Sequence, residues 1–275
     1  MRPTWHFVAA TDIRWLQELT SPRVQRIAVG YNKRLELDAR TLQRGLGIIE
    51  RALGGKQHLT RTELAGRLER ARLPIKGQRL AHLMMHAELE AVICSGPRRG
   101  KQFTYALVSE RAPHALGLSR DEALATLSRR FFTSHGPATV RDFVWWSGLT
   151  SADAKRGLEM NRATSEVVAG LVYWSIPHRH TPSVRNHLAY LLPIYDEYLI
   201  AYRDRDAVPH RLTALSVRER VTFQHALILD GQVAGTWRLT RDTSGPVIVP
   251  TPLRHLTSTE RRAVAEAVQR QSALM

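Results

Sequence analysis

The sequence predicts an α+β protein built from tandem winged-helix (helix-turn-helix) modules, followed by a C-terminal α+β segment that contains a β-hairpin. Three observations support this prediction. Two stretches in the middle of the chain repeat the same order of helix, turn, helix and two strands. Each repeat contains a capping-box pattern, in which a threonine precedes an acid by three residues. The dipeptide Asp230-Gly231 then joins two strand-like runs near the C-terminus.

Composition excludes several classes of protein. The 275 residues contain one cysteine, Cys94, which argues against a disulfide framework or a cysteine-rich metal site and favours a reducing compartment. The longest apolar stretch with almost no charge, residues 167–177, falls well short of the roughly 20 residues that a membrane span needs. The sequence therefore predicts a cytoplasmic protein that does not cross a membrane.

The first segment, residues 1–55, is predicted to begin with a strand and to continue with helices. Thr4–Val8 is β-branched and aromatic, which is typical of a strand. Helices are expected around Asp12–Leu19, Pro22–Val29 and Asp38–Leu53, and two glycines end the segment. The opening strand has no earlier strand in this sequence with which it could pair.

Residues 56–115 form the first predicted winged helix. Thr60 and Glu63 make the capping box of its first helix, and a second helix is expected over residues 76–91. A pair of strands completes the module as its wing. The two strands are predicted at Val92–Ser95 and Phe103–Val108.

Residues 116–181 repeat this order and form the second predicted winged helix. Thr139 and Asp142 occupy the capping positions, and a second helix is expected over Ser151–Asn161. The wing strands are predicted at Ser165–Ala169 and Leu171–Ile176. The two modules match in order and spacing rather than in identical residues.

Residues 182–275 form the C-terminal α+β segment. The run ALILDGQVAGTWRLT contains two strands joined at Asp230-Gly231, which is a strong hairpin signal. The last helix is predicted to start at Thr257, where Glu260 completes another capping box.

Positive charge is the most informative feature of the composition. Lys and Arg number 40 against 25 Asp and Glu, which gives a formal net charge of +15. Such an excess indicates a polyanionic partner, most often nucleic acid, although an arginine-rich composition could also produce it. From Lys56 to Lys101 there are ten basic residues and four acids, so the first predicted winged helix is more basic than the whole chain. We therefore predict duplex DNA as the partner.

The residues predicted to contact DNA lie on the second helix and the wing of the modules. In a winged helix the second helix faces the major groove, and a cationic wing suits phosphate contacts. The alternative is a solvated helix face, or a charged loop that keeps a strand edge soluble. The candidates in the first module are Lys76, Gln78, Arg79, His82, Arg98, Arg99 and Lys101. The candidates in the second module are Lys155, Arg156 and Arg162.

No metal or cofactor site is predicted. His82 and His86 stand four residues apart on a helix, but Leu83 occupies the position where the zinc-protease pattern has glutamate. His178 and His180 have no nearby thiols to complete a site. The glycine-rich patterns that bind nucleotide phosphates do not occur in the sequence, so no nucleotide cofactor is expected.

Asp196, Glu197 and Asp204 are the candidate catalytic residues. They lie in LLPIYDEYLIAYRDRD, residues 191–206, close to arginines in the same run. The simpler interpretation is a structural network of ion pairs. The alternative is a site that stabilises the positive charge that develops as a glycosidic bond breaks, which requires the carboxylates to face a cleft.

Several motifs resemble one known family. The runs RPTWHFV, LTRTELAGRLERA, CSGPRRGKQFTYAL, TSHGPATVRDFVWWSGL, LLPIYDEYLIAYRDR and LDGQVAGTWRLT follow the order of the winged-helix proteins of the AlkZ-like, or YcaQ-like, DNA glycosylase family. The resemblance covers nearly the whole chain. It implies tandem winged helices around a basic cleft that fits a duplex. It also implies hydrolysis of the N-glycosidic bond of alkylated or crosslinked purines, for which the nucleotide must leave the base stack.

The resemblance also implies that part of the family pattern is not in this sequence. In the family the strand that corresponds to TWHFV closes the first winged helix, so residues 1–55 are the remnant of that module with its linking helices. The family's catalytic pair, Gln-x-Gln or Gln-x-Asp, lies upstream of that strand. Here the only such pair is Gln269 and Gln271, in the predicted last helix. We therefore expect little excision activity, and self-association through the uncovered N-terminal strand edge.

Two classes of function remain open on these observations. One is a DNA glycosylase-like protein that binds duplex DNA, with or without catalysis. The other is a winged-helix transcription regulator or another non-catalytic DNA-binding protein. No ligand-sensing or coiled-coil dimerisation segment is evident in the sequence, which favours the first class.

Overall fold

The structure, a computed structural model, describes residues 6–177, 188–204, 224–243 and 245–274. These residues form helices and small antiparallel sheets, so the predicted α+β class is confirmed. The chain divides into two compact units, residues 1–176 and residues 177–275. The first unit contains the segments predicted at 1–55 and 56–115 and most of the segment predicted at 116–181.

The first unit contains helices and short strands. Its helices are α1 (Ile13–Arg34), α2 (Ala39–Leu53), α3 (Arg61–Arg70), α4 (Arg79–Leu89), α5 (Val108–Arg111), α6 (Arg120–Ser134), α7 (Val140–Ser147) and α8 (Ser151–Met160). Its strands are β1 (Leu59–Thr60), β2 (Ile93–Ser95), β3 (Thr104–Leu107), β4 (Thr164–Val168) and β5 (Leu171–Ser175). One antiparallel sheet has the order β1-β3-β2, and β4 pairs with β5 in a separate two-stranded ribbon.

The segment before α1 is not a strand where the structure describes it. Residues 6–9 have no regular secondary structure, and Phe7 and Val8 are exposed. Thr4 and Trp5, which begin the predicted strand, lie outside the described residues. A strand needs a partner for its backbone N–H and C=O groups, and none of the described strands pairs with this segment. The strand prediction is therefore wrong for the described residues from 6 onwards.

Helix α1 is continuous through Pro22, whereas the sequence predicted two helices, around Asp12–Leu19 and Pro22–Val29. A proline inside a helix removes one backbone hydrogen bond and usually breaks or kinks the helix. Here one face of α1 is buried on both sides of the proline, from Trp15 to Ala28. This burial offsets the lost bond, and the prediction of a break was wrong.

The first helix–helix–hairpin unit consists of α3, α4 and the strands β2 and β3. The backbone N–H of Glu63 donates to Thr60 Oγ1 at 3.3 Å, and the Glu63 carboxylate accepts from the Thr60 backbone N–H at 2.7 Å, so the predicted capping box is confirmed. Leu64 on α3 and Leu83 on α4 are fully buried in a core that they share with α2. The order of helices and strands is the predicted one.

The second helix–helix–hairpin unit consists of α7, α8 and the ribbon β4–β5, with α6 packed beside them. Its predicted capping box at Thr139 and Asp142 is confirmed. Phe132 of α6 and Phe143 of α7 are fully buried, with ring centroids 5.6 Å apart. This aromatic core supports the loop before α7 and the base of the ribbon.

The second compact unit contains one four-stranded antiparallel sheet of order β6-β7-β8-β9. Its elements are β6 (Ala189–Leu192), α9 (Glu197–Ile200), β7 (Ala226–Leu229), β8 (Gln232–Asp242), β9 (Gly245–Pro252) and α10 (Ser258–Ser272). Asp230 and Gly231 have φ of 48° and 76°, as a tight hairpin turn requires, so the predicted turn is confirmed. The capping box at Thr257 and Glu260 is also confirmed. None of the helices in the described ranges is long and apolar enough to cross a membrane.

A buried polar contact joins α1 to α6. Asp12, the residue before α1, accepts a hydrogen bond from Trp15 Nε1 at 3.0 Å and two from the Arg130 guanidinium at 2.5 and 3.2 Å. Asp12 and Trp15 are buried. The bonds from Arg130 and Trp15 outweigh the effect of burial and lower the pKa of Asp12. Asp12 is therefore ionised at neutral pH and holds both partners.

Replacing Asp12→Ala is expected to destabilise the first compact unit by about 2 kcal/mol, because the buried Trp15 Nε1–H loses its acceptor and Arg130 loses its counter-charge. The matched control Asp12→Asn keeps an oxygen for Trp15 and should cost less. Denaturant unfolding of the wild type and the two variants measures the free energy of unfolding of each. Equal losses of this free energy in the two variants would show that the hydrogen bond to Trp15 does not stabilise the protein.

Candidate nucleic-acid interface

The loop between β2 and β3 contains a tight turn that carries a lysine. The backbone N–H groups of Arg99 and Gln102 each donate to the other residue's carbonyl at 3.1 Å, which closes a two-residue turn at Gly100 and Lys101. Gly100 has φ of 60°, a left-handed conformation that glycine adopts without strain. The turn therefore holds the exposed Lys101 at the end of the hairpin.

An arginine and an aromatic ring lie together beside this turn. The guanidinium carbon of Arg98 is 4.4 Å from the centroid of the Phe103 ring, a cation–π contact. The Phe103 side chain is 67% exposed. Exposed rings and cations in one surface suit the stacked bases and phosphates of nucleic acid. Phe103 was not among the predicted site residues, and its position just after a run of cations was the signal that could have identified it.

Arg99 binds the protein itself. Its guanidinium donates to Glu63 Oε1 at 2.8 Å and to the His58 carbonyl at 2.5 Å. The Thr60 backbone N–H and the Arg99 guanidinium together lower the pKa of Glu63 from its ordinary value of 4.5 to about 2. Arg99 therefore fixes the hairpin to the beginning of α3.

The candidates on and before α4 have two different environments. Lys76 and Gln78, which precede the helix, are exposed. Arg79 is half-buried, donates to the Leu35 carbonyl at 2.7 Å and forms an ion pair with Glu36. His82 Nδ1 lies 3.1 Å from Asn32 Oδ1, and its ring is 5.8 Å from that of Tyr31. Arg79 and His82 therefore contact the end of α1 and the loop that follows it.

The DNA-contact candidates in the second helix–helix–hairpin unit also have two environments, since one binds another helix and two are exposed. Arg156 on α8 donates through two nitrogens to the carboxylate of Asp121 on α6, at 3.0 and 2.6 Å. Lys155 on α8 and Arg162 after it are exposed. Arg162 has φ of 51° and directs the chain from α8 towards β4. Arg156 therefore links two helices, while Lys155 and Arg162 lie at the surface.

The three candidate carboxylates lie in the second compact unit. The carboxylate of Asp196 accepts from the Tyr198 backbone N–H at 2.9 Å and caps α9. Tyr198 Oη donates to the Gly231 carbonyl at 2.5 Å, which fixes this short helix to the turn between β7 and β8. Glu197 and Asp204 are exposed. Asp196 thus has a structural role in starting the helix.

Cys94 and His86, the other groups of the first unit considered for chemistry, are neutral at pH 7. Burial raises the pKa of the half-buried Cys94 thiol and lowers the pKa of His86. Within the described ranges, no three His, Cys, Asp or Glu side chains are grouped so that they could hold a metal ion. His178 and His180 lie outside those ranges.

This mixed α+β fold, with cations gathered on a hairpin, can be compared with known proteins. The chain belongs to the AlkZ-like DNA glycosylase family, whose family model matches residues 1–274. A curated relative, the interstrand DNA cross-link repair glycosylase of Streptomyces sahachiroi, is 26% identical over 195 residues, which cover 66% of this chain and 50% of the relative. The chain therefore spans about half the length of that relative.

The fold is also similar to a solved structure. The structure of Streptomyces sahachiroi DNA glycosylase AlkZ matches with a TM-score of 0.71 at 18% identity, and the match covers 94% of this chain and 75% of that one. At this identity the likeness concerns the fold alone. It shows that the helices and small sheets of this chain are arranged much as in a DNA glycosylase.

The pKa of Glu63 provides a test of the link between Arg99 and α3. Because the folded pKa is about 2, the stabilisation from this carboxylate is complete above its ordinary pKa of 4.5 and is lost as the pH falls towards 2. Arg99→Ala should raise the pKa of Glu63 part of the way to 4.5, since the backbone bond from Thr60 remains. An NMR titration of the Glu63 carboxyl measures both values, and Lys101→Ala is the matched control that should leave the pKa unchanged.

Proposed function

We propose that this protein binds duplex DNA as a glycosylase-type protein, and that its two helix–helix–hairpin units act as winged helices. Family membership and the net charge of +15 support this proposal. The observation that carries it is the hairpin β2–β3, where Arg98, Phe103 and Lys101 present two cations and a ring at one exposed end. Such an end can bind phosphates by charge and bases by contact with the ring.

Contact with DNA is divided among the predicted residues according to their environment. We assign direct phosphate contact to the exposed cations Lys76, Arg98, Lys101, Lys155 and Arg162, because their charges lie at the surface. Gln78, exposed just before α4, is the candidate for a hydrogen bond to a base edge or a phosphate. The other four predicted residues already bind groups of the protein itself. We assign them the role of positioning the helices and the hairpin. They are Arg79, His82, Arg99 and Arg156.

The class of DNA is inferred from the family and its relative. The Streptomyces relative is named as a glycosylase that repairs interstrand DNA cross-links. We therefore propose that this chain recognises duplexes with alkylated or crosslinked purines. Removal of such a base by hydrolysis requires a nucleotide outside the stack and a water molecule placed beside the sugar.

The residues of this chain support binding better than catalysis. The only Gln-x-Gln pair in its 275 residues, Gln269 and Gln271, lies on α10. Of the three candidate carboxylates, Asp196 is bound to a backbone N–H as a helix cap. We propose that residues 1–275 bind damaged duplexes and excise bases poorly.

Replacing Arg98, Arg99 and Lys101 together by alanine should weaken binding to duplexes of unrelated sequence. The slope of log affinity against log salt should also become shallower by about 2, because the two phosphate contacts of Arg98 and Lys101 are lost. The matched control removes three arginines that bind the protein's own groups, Arg120, Arg254 and Arg261. Fluorescence anisotropy over a salt series measures both effects. Equal affinities of the wild type and the hairpin variant at every salt concentration would exclude this hairpin from the interface.

Incubation of the protein with alkylated and crosslinked duplexes should produce few abasic sites, because the only Gln-x-Gln pair in its 275 residues lies on α10. The Streptomyces relative serves as the positive control. Abasic-site formation is measured by strand cleavage after alkali treatment. Robust excision by this chain would contradict the proposal, and Asp196→Asn, Glu197→Gln and Asp204→Asn would then identify the carboxylate responsible.

A further inference from the structure

The ribbon β4–β5 ends in an exposed apolar tip. The side chains of Val167, Val168, Leu171 and Val172 are 70%, 51%, 44% and 45% exposed. Val168 pairs with Leu171 and Val167 with Val172, so the two apolar pairs lie on opposite faces of the ribbon end. Exposed apolar side chains clustered at one place are typical of an interaction site.

The tip projects from a firmly anchored base. Ala138 and Trp174 exchange two backbone hydrogen bonds of 2.9 and 2.8 Å, and the Ile176 N–H donates to the Phe132 carbonyl at 3.2 Å. From Trp174 to Leu171 the ribbon extends three residues, which is about 10 Å. Ala169 and Gly170 both have positive φ, so the end of the ribbon is a tight two-residue turn. The apolar side chains are therefore held well away from the helices.

We propose that this tip, residues 167–172, is a wedge that enters the base stack of duplex DNA. The proposal rests on the proposed function and names how the duplex is distorted. An extruded nucleotide leaves a gap in the stack, and proteins that unstack DNA commonly fill such a gap with aliphatic or aromatic side chains. The four side chains of the tip supply this surface.

Cations near the base of the ribbon and on the preceding helix favour DNA as the occupant. Lys155 on α8 and Arg162, two residues before β4, are exposed cations on the same helix–helix–hairpin unit. They can bind phosphates while the tip contacts bases. A second copy of the chain is a poorer occupant, because four aliphatic side chains offer far less than the roughly 1,000 Å² that a stable protein interface buries.

The experiment compares binding with unstacking. The probe is a short duplex that carries 2-aminopurine beside an abasic-site analogue, where the stack is already weakened. The tip variant combines Val168→Thr with Leu171→Thr, which keeps residues suited to a strand. The matched control combines Ile27→Thr with Val29→Thr, which removes a similar exposed apolar surface from α1.

Wild-type protein and the control should raise 2-aminopurine fluorescence on binding. The tip variant should lose most of this rise, while its dissociation constant changes by less than about threefold because no cation is removed. Thermal melting should be unchanged, since both substituted side chains are exposed. The charged-hairpin variant at residues 98, 99 and 101 should behave in the opposite way, with weaker binding and normal fluorescence at saturation.

The other outcomes separate this proposal from the proposed function. If the wild type does not bind the duplex, the proposed function fails and the wedge fails with it. If the wild type binds but the rise is absent, or is the same in the tip variant, only the wedge is overturned. If sedimentation shows that the free wild type is a dimer and the tip variant a monomer, the tip pairs two copies and the wedge is again overturned.

Discussion

The buried contact of Asp12 with Trp15 and Arg130 fixes the helix on which the first compact unit is assembled. Helix α1 lies between α4 and α6, and side-chain hydrogen bonds join it to both helices. Gln17 donates to the Glu88 carbonyl at 2.6 Å, at the end of α4. On the other side Arg130 of α6 binds Asp12. Because the two helix–helix–hairpin units share this one helix, the position of each hairpin depends on it.

Reciprocal capping bonds fix where several helices begin, and some of the same acids bind nearby arginines. Among the described residues, five helices start with a capping box, in each of which an acid accepts a hydrogen bond from the backbone N–H of the residue before the helix. The acids are Glu63, Glu122, Asp142, Asp153 and Glu260. Three of these acids also bind a cation: Glu63 binds Arg99, Asp153 binds Arg120 and Glu260 binds Arg254. Arg98 and Lys101 are exposed at the end of the β2–β3 hairpin, where their charge is accessible to a partner.

The two hairpins have the same place in their units but different chemistry. The β2–β3 turn carries cations and Phe103, while the β4–β5 turn carries four aliphatic side chains. Charge gives affinity for any duplex, and its strength depends on salt. Aliphatic side chains add little to that affinity but can occupy space between bases. In the proposed function, the first hairpin holds the duplex and the second distorts it.

Local interactions were determined by the sequence, and long-range ones were decided by the tertiary structure. The Thr60–Glu63 box and the turn at Asp230-Gly231 involve groups at most a few residues apart, so their patterns predicted them correctly. The continuity of α1 through Pro22 could not be predicted, because it depends on burial against distant helices. The same holds for the site: the cations of the hairpin were evident in the sequence, but the partners of Arg99 and of Arg156 lie 36 and 35 residues away. Which cation serves the fold and which stays exposed at the surface is decided by such distant partners, since a charge is neutralised by whatever acid the folded chain places beside it.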